Sequence, residues 1–466
     1  MFNVPKRYIS VKALYETVPK TEKQLDVING WVRSVRLLKK VAFIDLYDGS
    51  TNRDVKVVIK EPEESDVVKS LKTGQCLTIH SPILKLTNGS RTQAFELLVE
   101  NPTKNLQVLG HVTEHYPLQK KGHSLEFLRT LPTLKYRTLY YGSLLRFRSH
   151  MEEYFINFFN KQENMLKVSP PIFTVNDCEG AGEQFLVNSP VLQDKETFLT
   201  VSTQLHLEIL STAVSNCWTL SPCFRAEKSA TPRHLMEFWM LEAELSFITS
   251  LDELISFTKR FLQSIVTQCY ENQDSLLTDQ IPTLINKPEI LLKWEMLRDL
   301  DNWKTISYTE AIKILTEQHK KQPFPRYEPQ WGEPLQTEHE KWLAGSHFKS
   351  PVFVTDYPKD CKAFYMKLND DKNTVACFDL LVPEMGEIIG GSLREDNYNT
   401  LQYEMQRRNM NKDGELDWYL EMRQQGGAPH GGFGLGFERF ISYLLGVSNI
   451  KDTIPFPRSA NSSISL

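Results

Sequence analysis

The sequence predicts an α+β protein in which a small β-barrel precedes a larger domain built on an antiparallel sheet flanked by helices. Between residues 25 and 110, short runs of alternating apolar and polar residues are separated by turn signals at Asp48-Gly49-Ser50, Thr73-Gly74 and Asn88-Gly89. From Leu139 onward the spacing of apolar residues becomes helical. Further on, strand and helix patterns follow one another in a way that fits an α+β domain. We therefore divide the chain into an amino-terminal segment, a barrel, a hinge and a main domain, at residues 1–24, 25–110, 111–138 and 139–466.

The barrel is predicted from its strand count. Five short strands within about 85 residues are typical of a barrel of the OB type, and the polar segment 61–71 suits the short helix that such barrels insert. The predicted strands are 25–36, 41–46, 54–59, 76–83 and 94–99.

The main domain begins with a long amphipathic helix that ends before Pro170-Pro171. Its apolar residues recur at helical intervals, at Phe147, Met151, Tyr154, Phe155 and Phe158. The remainder is predicted to contain a helix at 251–270, strands at 352–354, 363–368 and 374–381, a helical segment at 397–424, and a Gly-rich strand leading into a helix at 431–446.

Composition excludes several classes of protein. No apolar run approaches the roughly 20 residues of a membrane span, so we expect no membrane partner. The seven cysteines are scattered and form no CxxC pair, which indicates reduced thiols. A net charge of −4 argues against bulk nucleic-acid binding, but residues 1–110 hold 17 Lys and Arg against 12 Asp and Glu, while the remainder holds 37 against 46. The basic front indicates a polyanionic partner for the barrel.

The first residues bear on localisation. They contain Lys6, Arg7 and Lys12 and no acid before Glu16, which resembles a mitochondrial presequence. We expect the mitochondrial matrix, with an ordinary amino-terminal helix in a cytoplasmic protein as the alternative.

A charged hairpin is predicted at 221–247. Arg225 and Glu227 are one residue apart and would share a strand face, and so would Phe238 and Glu242 on the second strand. A sheet face rarely concentrates charge unless it meets a charged ligand. Taken alone, an edge hairpin with solvated charges is an equal alternative.

Four further stretches carry polar residues suited to chemistry, although each alone is ambiguous. Residues 177–183 place Glu179 beside two glycines, where it could accept a substrate ammonium. Residues 199–208 offer the polar side chains of Ser202 and Gln204. Residues 378–394 contain Asp379 and Glu387, oxygen ligands of the kind that Mg²⁺ prefers, and also Arg394.

The fourth stretch is GGFGLGFER at 431–439. Its glycines leave space for a flat base, and the helix start with Arg439 favours phosphate. It follows neither the Rossmann nor the P-loop pattern. All five stretches in one antiparallel domain are hard to explain without an ATP site.

The motifs FRAE, RHLMEFWMLEAE and GFGLGFER resemble motifs 2 and 3 of the class II aminoacyl-tRNA synthetases, and the helix ending at Pro171 resembles their motif 1, which forms a dimer interface. With the barrel, the pattern is similar to the aspartyl, asparaginyl and lysyl subgroup. Within it, WGEPLQTEHEKWL, YPKDCKAFYMKLNDD and GEIIGGSLRED resemble asparaginyl-tRNA synthetases in a compact bacterial or organellar form. The resemblance covers nearly the whole chain. It implies a homodimer that uses ATP, Mg²⁺, L-asparagine and tRNA(Asn).

The resemblance also implies roles for individual residues. Arg225, Glu227 and Arg439 would be catalytic, holding the α-phosphate, the adenine amino group and the γ-phosphate. Phe238 would stack on adenine, and Arg233 or His234 would contact the terminal phosphates. Asp379 and Glu387 would carry Mg²⁺, and Glu244 would help through the metal or the ribose. The residues that bind asparagine would be Glu179, Ser202, Gln204, Arg225, Glu242 and Arg394.

Specificity follows from the amide of asparagine. Arg394 can donate to its carbonyl and Glu242 can accept from its NH₂, whereas an aspartate carboxylate would be repelled by Glu242. Leu207 stands where aspartyl relatives have a Lys, and Thr203 replaces a usual Gly.

In the barrel, the resemblance implies that Phe43 stacks on an anticodon base and that Arg33, Lys56 and Glu96 read bases. Lys56 replaces a usual Gln, which changes the readout because Lys cannot accept a hydrogen bond.

Three other functions are weighed. An aspartyl enzyme of relaxed specificity is opposed by Glu242 and Leu207. A catalytically idle RNA-binding paralogue would have lost Arg225, Glu387 or Arg439, which are intact. An asparagine synthetase derived from this fold would lack the barrel.

Overall fold

The structure, a computed structural model, describes residues 8–17, 21–87, 93–175, 184–192, 196–228, 231–279, 287–411 and 414–460. The chain forms two compact units. The first contains residues 1–147 and 274–284, and the second contains residues 148–273 and 285–466. Among the described residues, none of the helices has the length and apolar character needed to cross a membrane.

The first unit is built on one eight-stranded sheet. In spatial order its strands are Lys23–Gln24, Ile83–Leu86, Phe95–Val99, Val55–Lys60, Val41–Tyr47, Val27–Leu37, Cys76–His80 and Leu106–Gly110. Neighbours run antiparallel except Val55–Lys60 with Phe95–Val99. Each predicted strand is present, but 76–83 is broken at Ser81, whose positive φ of 52° interrupts the extended backbone. Three described strands were not predicted: Lys23–Gln24, Ile83–Leu86 and Leu106–Gly110.

Alternation along these strands fills the core of the first unit. Val27–Leu37 and Val41–Tyr47 alternate buried and half-buried residues along most of their length, and Ile28, Val32 and Ile44 are fully buried. Gly49 and Gly74 make the predicted turns with φ of 81° and 90°, whereas the predicted turn at Asn88-Gly89 lies outside the described residues. The helical segments of this unit are Val11–Glu16, Pro62–Glu64, Asp66–Lys69, Pro102–Asn105, Leu125–Arg129, Lys135–Arg137, Asp274–Asp279 and the first part of Leu139–Ile156.

The second unit contains an eight-stranded sheet that is antiparallel except at its two edges. In spatial order the strands are Lys304–Ser307, Val352–Thr355, Cys377–Val382, Gly386–Leu393, His430–Gly436, Glu237–Ser246, Asn216–Phe224 and Leu166–Lys167. A short pair, Phe173–Thr174 with Phe198–Leu199, lies apart from it.

Helices flank this sheet. Leu251–Glu271 begins at Ser250, whose side chain accepts a hydrogen bond from the Glu253 amide. Its apolar stripe packs Phe257 and Phe261 against Phe433 of the central strand. The other helical segments are Asn157–Gln162, Gln204–Val214, Lys287–Arg298, Leu300–Asn302, Tyr308–Lys321, Thr337–Trp342, Leu343–His347, Lys359–Cys361, Tyr398–Arg407, Asp417–Gln424, Phe437–Leu445 and Ile450–Asp452.

Two predictions for this unit were wrong in detail. The segment 363–368 is not a strand, because it pairs only at single positions, Met366 with Arg394 and Leu368 with Val375. The helical segment 397–424 is two helices, since Asn409 and Asn411 adopt positive φ values of 56° and 61° that end the first one.

Candidate active site

The floor of the candidate site is the middle of the second sheet. Glu242 and Glu244 on Glu237–Ser246 lie opposite Gly434 and Gly432 on His430–Gly436. A Cβ atom at Gly432 would collide with the backbone of Ala243 and with the Glu244 carboxylate. Glycine is therefore required here, because the side chains of the neighbouring strand occupy the space above it.

A cavity of about 430 Å³ opens above this floor. All the predicted asparagine-binding residues that the structure describes line it, and so do both predicted metal ligands. Glu179 lies outside the described residues. Leu207 also lines the cavity. Its apolar side chain therefore occupies the position at which aspartyl relatives are expected to carry a Lys. The predicted residues at the cavity are Ser202, Gln204, Arg225, Glu242, Arg394, Asp379 and Glu387.

Glu242 is held in one orientation by the start of the helix Gln204–Val214. The Thr203 amide donates to Glu242 Oε2 over 2.9 Å, and the Ser202 and Thr203 hydroxyls donate to the same carboxylate. The residue is 4% exposed. Thr203, noted above as a departure from the usual Gly, thus adds a donor that fixes an acceptor at the cavity wall.

Arg394 is held by Glu244, a residue to which the resemblance gave a role at the metal or the ribose instead. Arg394 Nε and Nη2 donate to the two Glu244 oxygens over 3.0 and 2.8 Å, and Nη1 donates to Ser392 Oγ over 2.7 Å. Burial opposes the charge of Arg394, but Glu244 raises its pKa. The guanidinium therefore stays protonated and keeps N–H groups for a ligand, while its charge is largely balanced within the protein.

A second cavity, of about 170 Å³, adjoins the first at Arg225, Met240, Glu387 and Gly434, which line both. Every predicted ATP-binding residue lines it: Arg225, Glu227, Arg233, His234, Phe238, Glu387 and Arg439. The first strand of the hairpin ends at Phe224, so Arg225 and Glu227 do not share a strand face as predicted. They follow the strand directly, and Arg225 N still donates to Met236 O over 2.9 Å.

The side chains around this second cavity make longer contacts and are more exposed than those around the first. Arg225 Cζ lies 5.4 Å from the centre of the Phe238 ring, and Arg439 Nη1 donates to Glu387 O over 3.1 Å. His234 Nε2 is 3.8 Å from Glu227 Oε2, and these side chains are 40% and 43% exposed. Burial, with help from nearby arginines, lowers the pKa of His234, so the ring is neutral at pH 7.

The two predicted metal ligands differ in their surroundings. Both Asp379 oxygens accept hydrogen bonds from Lys362 Nζ over 2.6 Å, a cation that none of the sequence motifs indicates. Glu387 lies beside Glu340, whose Oε2 accepts from the Glu387 amide over 3.3 Å. Burial and the Glu387 charge raise the pKa of Glu340 to about 7. This concentration of carboxylates suits Mg²⁺, with Glu387 as the better placed ligand because Asp379 already has a cation.

In the barrel, three predicted base-reading residues lie in neighbouring strands. Phe43, Lys56 and Glu96 are partly exposed, and Lys56 Nζ pairs with Asp45 Oδ1 over 2.9 Å. Arg33 is different: its Nε lies 2.6 Å from Asp54 Oδ1, and its guanidinium stacks 4.2 Å from the Tyr47 ring centre.

A β-bulge between Val32 and Ser34 removes Arg33 from the strand register. Arg36, three residues on, is exposed and lies directly opposite Phe43. The alternation of side chains, counted back from the end of the strand, would have indicated Arg36. The bulge itself has no signal in the sequence.

Comparison with known proteins identifies the family. Residues 124–460 match the family of tRNA synthetases class II (D, K and N), and residues 27–102 match the OB-fold nucleic acid binding domain. The chain belongs to the class II tRNA synthetases.

Within this family the chain is similar to asparagine–tRNA ligases. It is 54% identical over 477 residues to the mitochondrial asparagine–tRNA ligase of Saccharomyces cerevisiae, covering 98% of this chain and 96% of the relative. It is 41% identical to the asparagine–tRNA ligase of Borreliella burgdorferi, covering 93% and 95%.

A solved synthetase structure shares the fold. Asparaginyl-tRNA synthetase from Pyrococcus horikoshii, complexed with asparaginyl-adenylate, superposes with a TM-score of 0.86 at 27% identity, covering 99% of this chain and 100% of that one. The predicted fold class, an OB-fold barrel followed by a class II synthetase domain on an antiparallel-rich sheet, is therefore confirmed.

Proposed function

We propose that the protein is an asparagine–tRNA ligase, which activates L-asparagine with ATP and transfers it to tRNA(Asn). The observation that carries the proposal is the pair of fixed groups at one cavity, the acceptor Glu242 and the donor Arg394. The two asparagine–tRNA ligases named above support it, because each matches nearly the whole chain.

Recognition of the side-chain amide follows from these two groups. The asparagine carbonyl accepts from Arg394, and its NH₂ donates to Glu242. Aspartate would bring a second carboxylate to Glu242 and would have no hydrogen to donate, so Glu242 would face a like charge and gain no hydrogen bond from the ligand. Because Glu244 already balances Arg394, little positive charge remains to attract a carboxylate.

Activation needs positioning and charge neutralisation more than proton transfer. A carboxylate oxygen of asparagine attacks the α-phosphorus of ATP, the bond to the β-phosphate oxygen breaks, and pyrophosphate leaves. Arg225 lines both cavities, so it is suited to hold the α-phosphate and the reacting carboxylate together. The terminal ribose hydroxyl of tRNA then attacks the adenylate carbonyl and AMP leaves.

The nucleotide contacts are assigned to the second cavity. Adenine lies between Phe238 and Arg439, with its amino group at Glu227. Arg233 and neutral His234 donate to the terminal phosphates. Glu387, with Asp379 beside it, would hold Mg²⁺, which supplies charge neutralisation for the phosphates when bound.

The barrel is proposed to bind the anticodon. Phe43 is a half-exposed aromatic ring on which a base can stack, and Arg36 opposite it supplies a cation. Lys56 and Glu96 offer a donor and an acceptor to base edges. Arg33 is not assigned a base, because it is already paired with Asp54.

The protein is proposed to act as a homodimer in mitochondria. The segment after the first long helix exposes Leu166, Ile172 and Phe173, an apolar surface that a second copy would cover.

The mitochondrial relative from yeast supports the proposed mitochondrial compartment. Imaging a fusion of the whole chain, beside one with residues 20–466 only, tests this part of the proposal.

Charging of tRNA tests the function directly. With radiolabelled asparagine and ATP, the protein should charge a tRNA(Asn) transcript and leave tRNA(Asp) with aspartate uncharged. Phe43→Ala should raise the KM for tRNA about tenfold without changing pyrophosphate exchange, because stacking on the anticodon is lost. Failure to charge tRNA(Asn) under any condition that supports adenylate formation would contradict the proposal.

A further inference from the structure

A buried carboxylate behind the amino-acid cavity has no place in the reaction described above. Glu208 is fully buried and does not line the cavity that contains Glu242 and Arg394. Its oxygens accept hydrogen bonds from Tyr419 Oη, Arg423 Nη2 and His430 Nε2 over 2.8, 3.0 and 2.8 Å. An ionised group of this kind is costly to bury, so its position calls for a role beyond packing.

Glu208 has two further neighbours that do reach the cavity: Arg394, whose Nε lies 3.9 Å from Glu208 Oε1, and Gln204. Gln204 Nε2 donates to Glu208 Oε1 over 3.1 Å, and Gln204 lines the cavity. Although burial opposes ionisation of Glu208, Arg423 and His430 outweigh it and lower the pKa of the carboxyl. An ionised carboxylate can only accept, so the NH₂ group of Gln204 must face Glu208 and its Oε1 must face the other way.

The carbonyl oxygen of Gln204 is available to a ligand. Within the described part of the chain, no donor reaches Gln204 Oε1, and this atom is not among the buried polar atoms without a partner. An acceptor open to the cavity suits the α-ammonium of an amino acid, which has three donors and no acceptor.

We propose that Glu208 is a positioning residue that locks the Gln204 carboxamide so that its Oε1 accepts a hydrogen bond from the α-ammonium of asparagine. This inference rests on the proposed function. With Glu208 in place, a flipped Gln204 would lose its bond to Glu208 and set NH₂ against NH₃⁺, so the cavity selects an α-ammonium over groups that accept hydrogen bonds.

Glu208→Gln tests the proposal, since glutamine at this position can donate as well as accept and no longer dictates the orientation of Gln204. In asparagine-dependent ATP–pyrophosphate exchange, the KM for asparagine should rise about tenfold or more, while kcat and the KM for ATP change less than twofold. The α-hydroxy analogue of asparagine, tested as an inhibitor, should lose less affinity than asparagine, because a hydroxyl can accept from a flipped Gln204.

Two further variants separate positioning from packing. Glu208→Asp keeps the charge beside Arg423 and His430 but withdraws it from Gln204, so it should reproduce the rise in KM even where Glu208→Gln folds poorly. Tyr419→Phe removes one hydrogen bond to Glu208 and leaves Gln204 in place, so its KM should stay within about twofold of the wild type.

A double variant gives the decisive outcome. In a Gln204→Leu background, Glu208→Gln should raise the KM no further, because its effect passes through Gln204. A full additional rise in that background, or an unchanged preference between asparagine and the α-hydroxy analogue, would overturn the positioning role. A wild-type protein without asparagine-dependent exchange would instead overturn the proposed function.

Discussion

The two cavities of the candidate active site are built differently. Around the amino-acid cavity, Glu242, Glu244 and Arg394 are buried and tied to protein partners by short hydrogen bonds. Around the nucleotide cavity, Glu227 and His234 are about 40% exposed and lie 3.8 Å apart. One half of the site holds its groups in place before any ligand binds, and the other keeps its groups near solvent.

The difference matches the two recognition problems. Asparagine and aspartate differ only in having a side-chain amide or a side-chain carboxylate. The protein groups that distinguish them must therefore be fixed and desolvated, because the loss of a hydrogen bond is costly only under those conditions. ATP carries several charges and a large ring, which solvent-exposed cations and an aromatic face can bind without such precision. We therefore expect substitutions in the first half to change specificity and those in the second half to change nucleotide use.

The contrast between the amino-acid cavity and the nucleotide cavity should not hold for Arg225, because this residue lines both. Arg225→Ala should lower kcat/KM for ATP–pyrophosphate exchange about 10³-fold or more, since the transition-state charge on the α-phosphate loses its donor. Arg260→Ala, at an exposed ion pair with Glu163, is the matched control and should change little. Retained exchange in Arg225→Ala would mean that the reacting centre lies elsewhere.

Glu242→Gln should sharpen the comparison from the amino-acid side. Glutamine still offers an acceptor, but it removes the negative charge and can donate to a carboxylate. The preference for asparagine over aspartate in exchange assays should fall about 100-fold, with the KM for ATP unchanged. Glu237→Gln, near the start of the same strand, should leave the preference intact, and an unaltered preference in Glu242→Gln would remove this residue from specificity.

Glu340→Gln probes the nucleotide side through stability. Its pKa is raised to about 7 by burial and by Glu387, so the folded protein holds this proton more tightly than the unfolded chain does. Ionisation therefore costs folding free energy, and the free energy of unfolding should fall as pH rises from about 4.5 to about 7.

The Glu340→Gln variant should not show this fall in the free energy of unfolding. Without Mg²⁺, Glu340→Gln should be more stable than the wild type by about 3 kcal/mol at pH 8, and the difference should be nearly gone at about pH 4.5. Denaturant unfolding in EDTA at both pH values measures this, with the exposed Glu333→Gln as the control. A variant that is no more stable than the wild type at pH 8 would show that Glu340 is not under electrostatic strain.

Much of this architecture could be predicted because it depends on local patterns. The alternation in Val41–Tyr47 and the helical spacing in Leu251–Glu271 are visible residue by residue. The residues of the nucleotide cavity were found because a few short motifs carry nearly all of them.

The groups that fix the amino-acid cavity could not be predicted in the same way. Glu244 with Arg394, and Glu208 with Arg423, are pairs separated by more than 100 residues, and no local pattern links their members. Arg33, to which the resemblance gave a role in base reading, lies at a one-residue bulge and pairs with Asp54, and no local sequence signal shows either feature. The segment 363–368 alternates like a strand but pairs only at single positions.

Exchange of pyrophosphate into ATP by the wild-type protein, with asparagine and with aspartate in parallel, tests the central claim most directly. A pocket with a fixed acceptor at Glu242 and a balanced cation at Arg394 should give a kcat/KM for asparagine that exceeds that for aspartate by about 10³-fold or more. Equal exchange with the two amino acids would contradict the account.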